Sequence, residues 1–161
     1  MYTMRLMHRI ALAAFLALVF LAGCAHTRCE SSSAVVLQFQ HDSGGEFPIM
    51  QQLIVHGDGL IDGADGGVSF CGRAGNRDQD FTRLLALLQD ERTAQAMRLM
   101  AERNRAQMPS GEFFRITVDG VFVLVRPAAL EEPVGEIVKL ADSVARKALG
   151  RRWLSVSEGI R

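Results

Sequence analysis

Three aspartates in a glycine-rich stretch have the type and spacing that first suggest a chemical site. Asp58, Asp62 and Asp65 lie four and three residues apart. Calcium prefers carboxylate oxygens, but a loop of the EF-hand type needs ligands at alternate positions and a distant Glu, and this stretch has neither. Aspartate beside glycine also favours turns. We therefore interpret the three residues as turn formers and predict neither a metal site nor a cofactor.

Two histidines are the next candidates. His41 and His56 close two predicted strands that follow each other in the chain, so they could lie close together. Two imidazoles without a third ligand make a poor zinc site. The sequence also lacks the short motifs that mark serine hydrolases and zinc metallopeptidases. We therefore expect no catalytic residues and a protein that is not an enzyme.

The thiol of Cys24 follows a segment with the pattern of a secretory signal. Residues 1–9 carry Arg5 and Arg9 and no acid, and residues 10–21 are uncharged and apolar. A helix that spans a bilayer needs about 20 apolar residues, and this run is shorter. The pattern predicts a cleaved signal peptide over residues 1–23.

The last residues of this segment, Leu21-Ala22-Gly23-Cys24, resemble the lipobox of bacterial lipoproteins. The resemblance implies that the signal is cut before Cys24 and that Cys24 is acylated. Two or more acyl chains give stable membrane anchoring. Ala25, where inner-membrane lipoproteins commonly have Asp, implies attachment to the outer membrane facing the periplasm, with the inner membrane less favoured. The alternative is an ordinary secreted protein that is cut at another small residue.

Two cysteines, Cys29 and Cys71, remain once Cys24 is acylated, and an even number can pair. Export places them in an oxidising compartment, where such a remainder predicts a disulfide. A bridge that closes a loop of about 40 residues stabilises a fold by roughly 4 kcal/mol in the chain-entropy model. It would also fasten the membrane-proximal end of the chain to the domain. Two unpaired thiols are the alternative.

The charge balance excludes one class of partner. The chain has 18 basic and 18 acidic residues, and the signal peptide carries only two of the basic ones. A near-neutral chain has no basic footprint for nucleic acid. Residues 24–33 are polar and Ser-rich and predict a flexible tether. Residues 34–150 have the length of one domain, and residues 151–161 form a C-terminal tail.

Alternation of apolar and polar residues predicts the first strands. Residues 34–41 and 49–56 have this pattern. It places Val35, Leu37 and Phe39 on one face of the first strand, with Val36, Gln38 and Gln40 on the other. Shorter strands are predicted at residues 60–61 and 68–71, and residues 62–67 are predicted to be a loop.

Helical spacing begins near Asp78, where Asp78 or Asp80 is predicted to be the N-cap. The apolar stripe slips near Asp90 and resumes through Ala96, Leu99 and Met100, which predicts one bent helix or two joined helices. A last helix is predicted from Pro133 at its first position to Gly150.

An Asp-Gly pair between two apolar runs is the clearest local signal. Asp119-Gly120 predicts a type I′ hairpin. Folding there pairs Val118 with Val121, Ile116 with Val123 and Phe114 with Val125 on one apolar face. The other face is mixed and carries Arg115, Thr117, Phe122 and Leu124. Together the elements predict an α+β fold, a small antiparallel sheet with two or three helices packed on one face as a two-layer sandwich.

A further resemblance lies in the first strands. A strand, then Ser43-Gly44-Gly45 with Phe47 after it, then a strand that runs into Asp58-Gly59, is similar to the emfourin family. Members of that family are small bacterial inhibitors of thermolysin-type metallopeptidases. The similarity covers residues 35–59 and the order of elements that follows. The alternative interpretation is that the glycine pair only serves a flexible turn.

These observations lead to one expectation for function. We expect a lipid-anchored envelope protein with a non-catalytic binding or assembly domain, whose partners are the membrane and an envelope protein. An inhibitor of a thermolysin-type metallopeptidase is the alternative. Loops on a rigid sheet concentrate recognition residues, so we predict a partner-contact loop, with a plain turn and a core position for the aromatic residue as the alternative. The loop consists of Asp42, Ser43, Gly44, Gly45, Glu46 and Phe47.

Overall fold

The described part of the chain folds into one antiparallel sheet and three α-helices, which confirms the α+β prediction. A computed structural model describes residues 31–44, 46, 50–104, 111–150 and 153. The strands are β1 (Val35–Asp42), β2 (Met50–His56), β3 (Leu60–Asp65), β4 (Val68–Arg73), β5 (Phe113–Val118) and β6 (Val121–Val125). The helices are α1 (Gln79–Gln89), α2 (Glu91–Asn104) and α3 (Val134–Leu149), with a short 3₁₀ turn at Pro127–Ala129.

The strand order in the sheet is β4-β3-β2-β1-β5-β6, and every neighbouring pair is antiparallel. Strands β1 to β4 are consecutive hairpins. The β5–β6 hairpin returns after α1 and α2 and pairs β5 with β1. Strand β1 therefore lies inside the sheet, between β2 and β5.

The β5–β6 hairpin has the predicted register. Ile116 pairs with Val123, and both side chains are buried. Asp119 and Gly120 both have positive φ, at 48° and 73°, as a type I′ turn requires.

The prediction of a loop over residues 62–67 is wrong. Asp62 to Asp65 continue β3, and only Gly66 and Gly67 form the turn to β4. Both glycines have positive φ, so two residues suffice to reverse the chain. Asp62 and Asp65 therefore lie within β3 and pair with residues of β2 and β4.

The three helices pack on one face of the sheet. Alternate strand residues point to that face, which we call the inner face, and are buried there with residues of α1, α2 and α3. The buried strand residues are Leu37, Phe39, Leu53, Val55, Ile61, Phe114, Ile116, Val123 and Val125. This arrangement confirms the predicted layers.

Asp90 divides the predicted long helix into two. Its backbone is extended, with φ −72° and ψ 129°, and its carboxylate accepts hydrogen bonds from the backbone N–H and the hydroxyl of Thr93. The predicted stripe on α2 is wrong for Leu99, which is 49% exposed, while Met100 does pack against the core. Thr93 and Met97, four residues apart, are the fully buried residues of this helix.

Helix α3 supplies most of the helical contribution to the core. Pro133 is its N-cap and not its first helical residue, so the helix begins one residue later than predicted. Trp153, beyond the helix, is also buried, and its indole N–H donates to Asp142 at 2.9 Å. Within the described part of the chain no helix is both long and apolar enough to cross a membrane. The predicted signal peptide and the acylated Cys24 lie outside the described residues.

One polar cluster fastens α1 to α3. Asp78 is the N-cap of α1 and accepts from the backbone N–H groups of Asp80 and Phe81. The ammonium of Lys147 donates to Asp80 at 2.7 Å and to Asp78 at 2.9 Å. The hydrogen bond from Lys147 is the main cause that lowers the pKa of Asp80, and the same bond raises the pKa of Lys147.

This cluster predicts a pH-dependent loss of stability for Lys147→Gln. The lowered pKa of Asp80 contributes stability that is present above its unfolded value near 3.9 and is lost as the pH falls through the folded value. The raised pKa of Lys147 contributes stability below about pH 10 that is lost as the pH rises through its folded value. Because Lys147 is half exposed and screened by solvent, we expect a cost of only about 0.5–1 kcal/mol near neutral pH.

Denaturant unfolding at several pH values measures the difference. The difference between wild type and Lys147→Gln should shrink toward acid as Asp80 is protonated. Lys139→Gln is the matched control, since Lys139 is an exposed lysine on the same helix. Equal costs for the two variants would show that the cluster does not stabilise the contact between α1 and α3.

Candidate functional site

The side of the sheet opposite the helices carries a shallow, partly open depression. Because β1, β2 and β5 alternate strictly, each strand that buries one set of residues on the inner face presents the other set outward. We call the outward patch on β2, β1, β5 and β6 the open face. It surrounds a shallow depression of about 290 Å³. The open face consists of Gln38, Gln40, Gln52, Ile54, Arg115, Thr117 and Phe122.

Strand pairing places these residues in two rows. In one row Gln52 pairs with Gln40 and Gln40 with Arg115. In the other, Ile54 pairs with Gln38, Gln38 with Thr117 and Thr117 with Phe122. Neighbouring strands lie about 4.8 Å apart, so side chains from distant parts of the sequence form one continuous surface.

The polar groups of the open face are available to a ligand. Among the described residues, the side-chain amides of Gln38, Gln40 and Gln52 have no hydrogen-bond partner, and neither has the hydroxyl of Thr117. Each amide carries two donor hydrogens and an acceptor oxygen. These groups are exposed or half-exposed, so water satisfies them and a ligand could replace that water.

Arg115 is held in position by an aromatic ring. Its guanidinium carbon lies 4.9 Å from the ring centroid of Phe122, which is a cation–π distance. Phe122 is 48% exposed. Among the described residues Arg115 has no acidic partner. A guanidinium that is pre-oriented and lacks a counter-ion suits bidentate binding of a carboxylate.

The three aspartates considered for metal binding have separate roles. Asp58 caps the β2–β3 turn and accepts from the backbone N–H of Leu60, which is the main cause that lowers its pKa. Asp62 contacts His56, and Asp65 accepts from Gln51. In the described ranges no cluster of three or more His, Cys, Asp or Glu residues could hold a metal ion.

The two histidines lie far apart, contrary to the expectation that they could be close. Antiparallel pairing places His41 opposite Gln51 at one end of the sheet and His56 opposite Val35 at the other. Each is near a carboxylate, His41 at 2.8 Å from Glu112 and His56 at 2.9 Å from Asp62. Strand direction separates them, which spacing along the sequence does not reveal.

The base of the predicted contact loop is tied to β5. Asp42 ends β1 and accepts from the backbone N–H of Gly44 at 2.8 Å. Gly44 has φ +69°, and a Cβ there would lie 2.6 Å from the carbonyl carbon of Gly111. Ser43 is half-buried and Glu46 is exposed. Gly45 and Phe47 lie outside the described residues, so the contact role of the loop stays a prediction.

The cysteine on β4 lies on the outer side of the sheet and forms a disulfide. Cys71 pairs in register with Asp62, and its sulfur is disulfide-bonded. The predicted partner, Cys29, lies outside the described residues, as does Cys24. The pairing of Cys29 with Cys71 therefore stays a prediction.

Sequence reasoning found only part of the open face. The hairpin signal already placed Arg115, Thr117 and Phe122 on one mixed face. The alternating pattern of β1 assigned Gln38 and Gln40 to its polar side. Sequence reasoning did not provide the order of strands, which joins these residues with Gln52 and Ile54.

Comparison with known proteins adds no assignment. No family model matches the chain, and no curated protein and no solved structure matches it either.

The disulfide of Cys71 predicts different outcomes for the two remaining cysteines. In unreduced, unfolded protein, Cys29→Ser should expose one titratable thiol, because Cys71 loses its partner. Cys24→Ser should expose none. We expect Cys29→Ser to lose roughly 4 kcal/mol of stability in the chain-entropy model. Thiol titration and denaturant unfolding measure both effects, and a free thiol in Cys24→Ser but not in Cys29→Ser would assign the bridge to Cys24.

Proposed function

We propose that this chain is a lipid-anchored bacterial envelope protein whose domain binds an envelope protein through the open face. The observation that carries the proposal is the set of unpaired amides beside Arg115, which lacks a counter-ion among the described residues. Arginine and aromatic residues are enriched in the energetically important parts of interfaces. The open face combines both with hydrogen-bonding groups that none of the described helices covers.

The anchor in this proposal is Cys24, at the end of a lipobox-like signal. The chain enters the domain at the β2–β3 turn, where Gly57 donates to the carbonyl of Ala34 and Ser31 donates to Asp58. His56 lies 3.3 Å from the carbonyl oxygen of Ser33. These contacts support a short link between the membrane and Val35, the first residue of β1. The sheet would then be held close to the lipid surface.

A change at Cys24 tests the anchor. Cys24→Ser should abolish incorporation of labelled fatty acid and leave an uncleaved or mislocalised precursor, because only the cysteine thiol accepts the lipid. Labelling of whole cells followed by membrane fractionation measures both. Label retained by the variant would refute the anchor.

The binding surface is tested in the same cells. A photo-crosslinking amino acid at position 52 should capture one envelope protein, identified by mass spectrometry. The same amino acid at position 92, an exposed position on α2, is the control. Identical products from both positions would show that the open face has no special role.

An emfourin-like inhibitor is the second candidate, and the position of the Asp42–Glu46 loop favours it. The loop lies at the opposite end of β1 from the chain entry, roughly 23 Å away for an eight-residue strand. The Asp42 end of β1 is therefore remote from the chain entry at Ser31 to Ala34, and Glu46 near that end is exposed. A carboxylate is a ligand that zinc accepts.

Direct assay distinguishes the second candidate from the first. An inhibitor should reduce hydrolysis of a peptide substrate by thermolysin at micromolar concentration. Replacing residues 43–46 by a neutral linker of equal length should remove the inhibition, while Arg115→Gln should preserve it. Unmodified protein that leaves thermolysin fully active would eliminate this candidate.

A further inference from the structure

The geometry of the open face points to an extended, acidic segment of a partner polypeptide as its ligand. This inference rests on the proposed function for the surface but not on the lipid anchor. It names the chemistry of the partner, which the proposed function leaves open.

The spacing of the glutamines matches an extended peptide. Gln38 and Gln40 are two residues apart on β1 and point to the same face, which separates them by roughly 6.6–6.8 Å. A peptide in extended conformation repeats its outward N–H and C=O groups at the same two-residue distance. A segment laid along β1 can therefore hydrogen-bond to both amides in succession, and Gln52 beside Gln40 extends the set sideways.

The positive charge of Arg115 favours a negatively charged partner. Arg115 is the only ionisable residue of the seven that define the open face. It lies next to Gln40 in the register. A segment that lies along β1 and contacts Gln40 could therefore place an Asp or Glu side chain against Arg115. The ring of Phe122 holds the guanidinium in place, which reduces the entropy that an arginine loses on binding.

An apolar side chain lies at each end of one row of the face. Phe122 and Ile54 occupy the two ends of the row that contains Gln38 and Thr117. Alternate side chains of an extended segment point toward the surface. The face therefore fits a segment with an acidic residue opposite Arg115 and apolar residues toward Phe122 or Ile54.

Selection from a random heptapeptide library displayed on phage tests the inference with the full chain as expressed. Selected peptides should be enriched in Asp and Glu and bind more weakly as salt is raised. Arg115→Gln should weaken them about tenfold or more, because a hydrogen-bonded ion pair is lost. Arg115→Glu should reverse the preference toward Lys and Arg. Arg92→Gln, an exposed arginine on α2, is the matched control and should bind as wild type does.

Three results would overturn the inference. They are a selection that yields no specific peptide, peptides without acidic enrichment, and peptides that bind Arg115→Gln as well as wild type. Thermal unfolding of each variant confirms that the exposed substitution has not unfolded the domain. Alginate, an anionic polysaccharide, provides the alternative outcome. If no peptide is selected, and wild type retains alginate while Arg115→Gln does not, the open face binds a glycan instead.

These outcomes are separable from failure of the proposed function. If position 52 captures an envelope protein in cells and the selection still fails, the surface binds by other chemistry and only this inference falls. If acidic peptides are selected but Cys24→Ser retains its lipid label, the ligand assignment stands and the anchor falls.

Discussion

Helix α3 lies so close to β4 that Gly72 has no room for a side chain, and Gly63 on β3 is crowded by neighbouring side chains. A Cβ on Gly72 would overlap the carbonyl oxygen of Ala148, and a Cβ on Gly63 would lie 2.5 Å from the ring of Phe70 and 2.8 Å from Leu149. Close approach lets α3 bury ten residues of its sixteen, and full burial of each large aliphatic residue contributes about 1.5–3 kcal/mol. The close contact depends above all on Gly72, because a Cβ there would meet the backbone of α3 and push the helix off the sheet, whereas at Gly63 only the side chains of Phe70 and Leu149 would have to move.

One-sided packing also determines where function can lie. Since the three described helices bury the inner face, the opposite side chains of β1, β2 and β5 are not packed against a second layer within the described residues. Strand alternation then allows polar residues there without any cost to the core. Gln38 and Gln40 alternate with Leu37 and Phe39 on a single strand. The same periodicity therefore produces both the stability of the domain and its available surface.

The two ends of the sheet differ in what they hold. At one end the chain enters beside His56. The disulfide-bonded Cys71 lies in the same row as Ile54 and Gln38, two strands beyond Ile54. At the other end the loop after Asp42 packs on the start of β5 through Gly44. The open face lies between them.

Local sequence signals determined much of the fold. The Asp119-Gly120 turn, the N-cap at Asp78 and the alternation of β1 depend on interactions between near neighbours, so they can be predicted without knowing the rest of the chain. The extent of β3, the side of α2 that is buried and the distance between His41 and His56 depend on strand order and on the break at Asp90, which only tertiary packing decides. The open face belongs to this second group. Gln40, Gln52 and Arg115 are ordinary polar residues in the sequence, and they form one surface only because β5 returns to pair with β1.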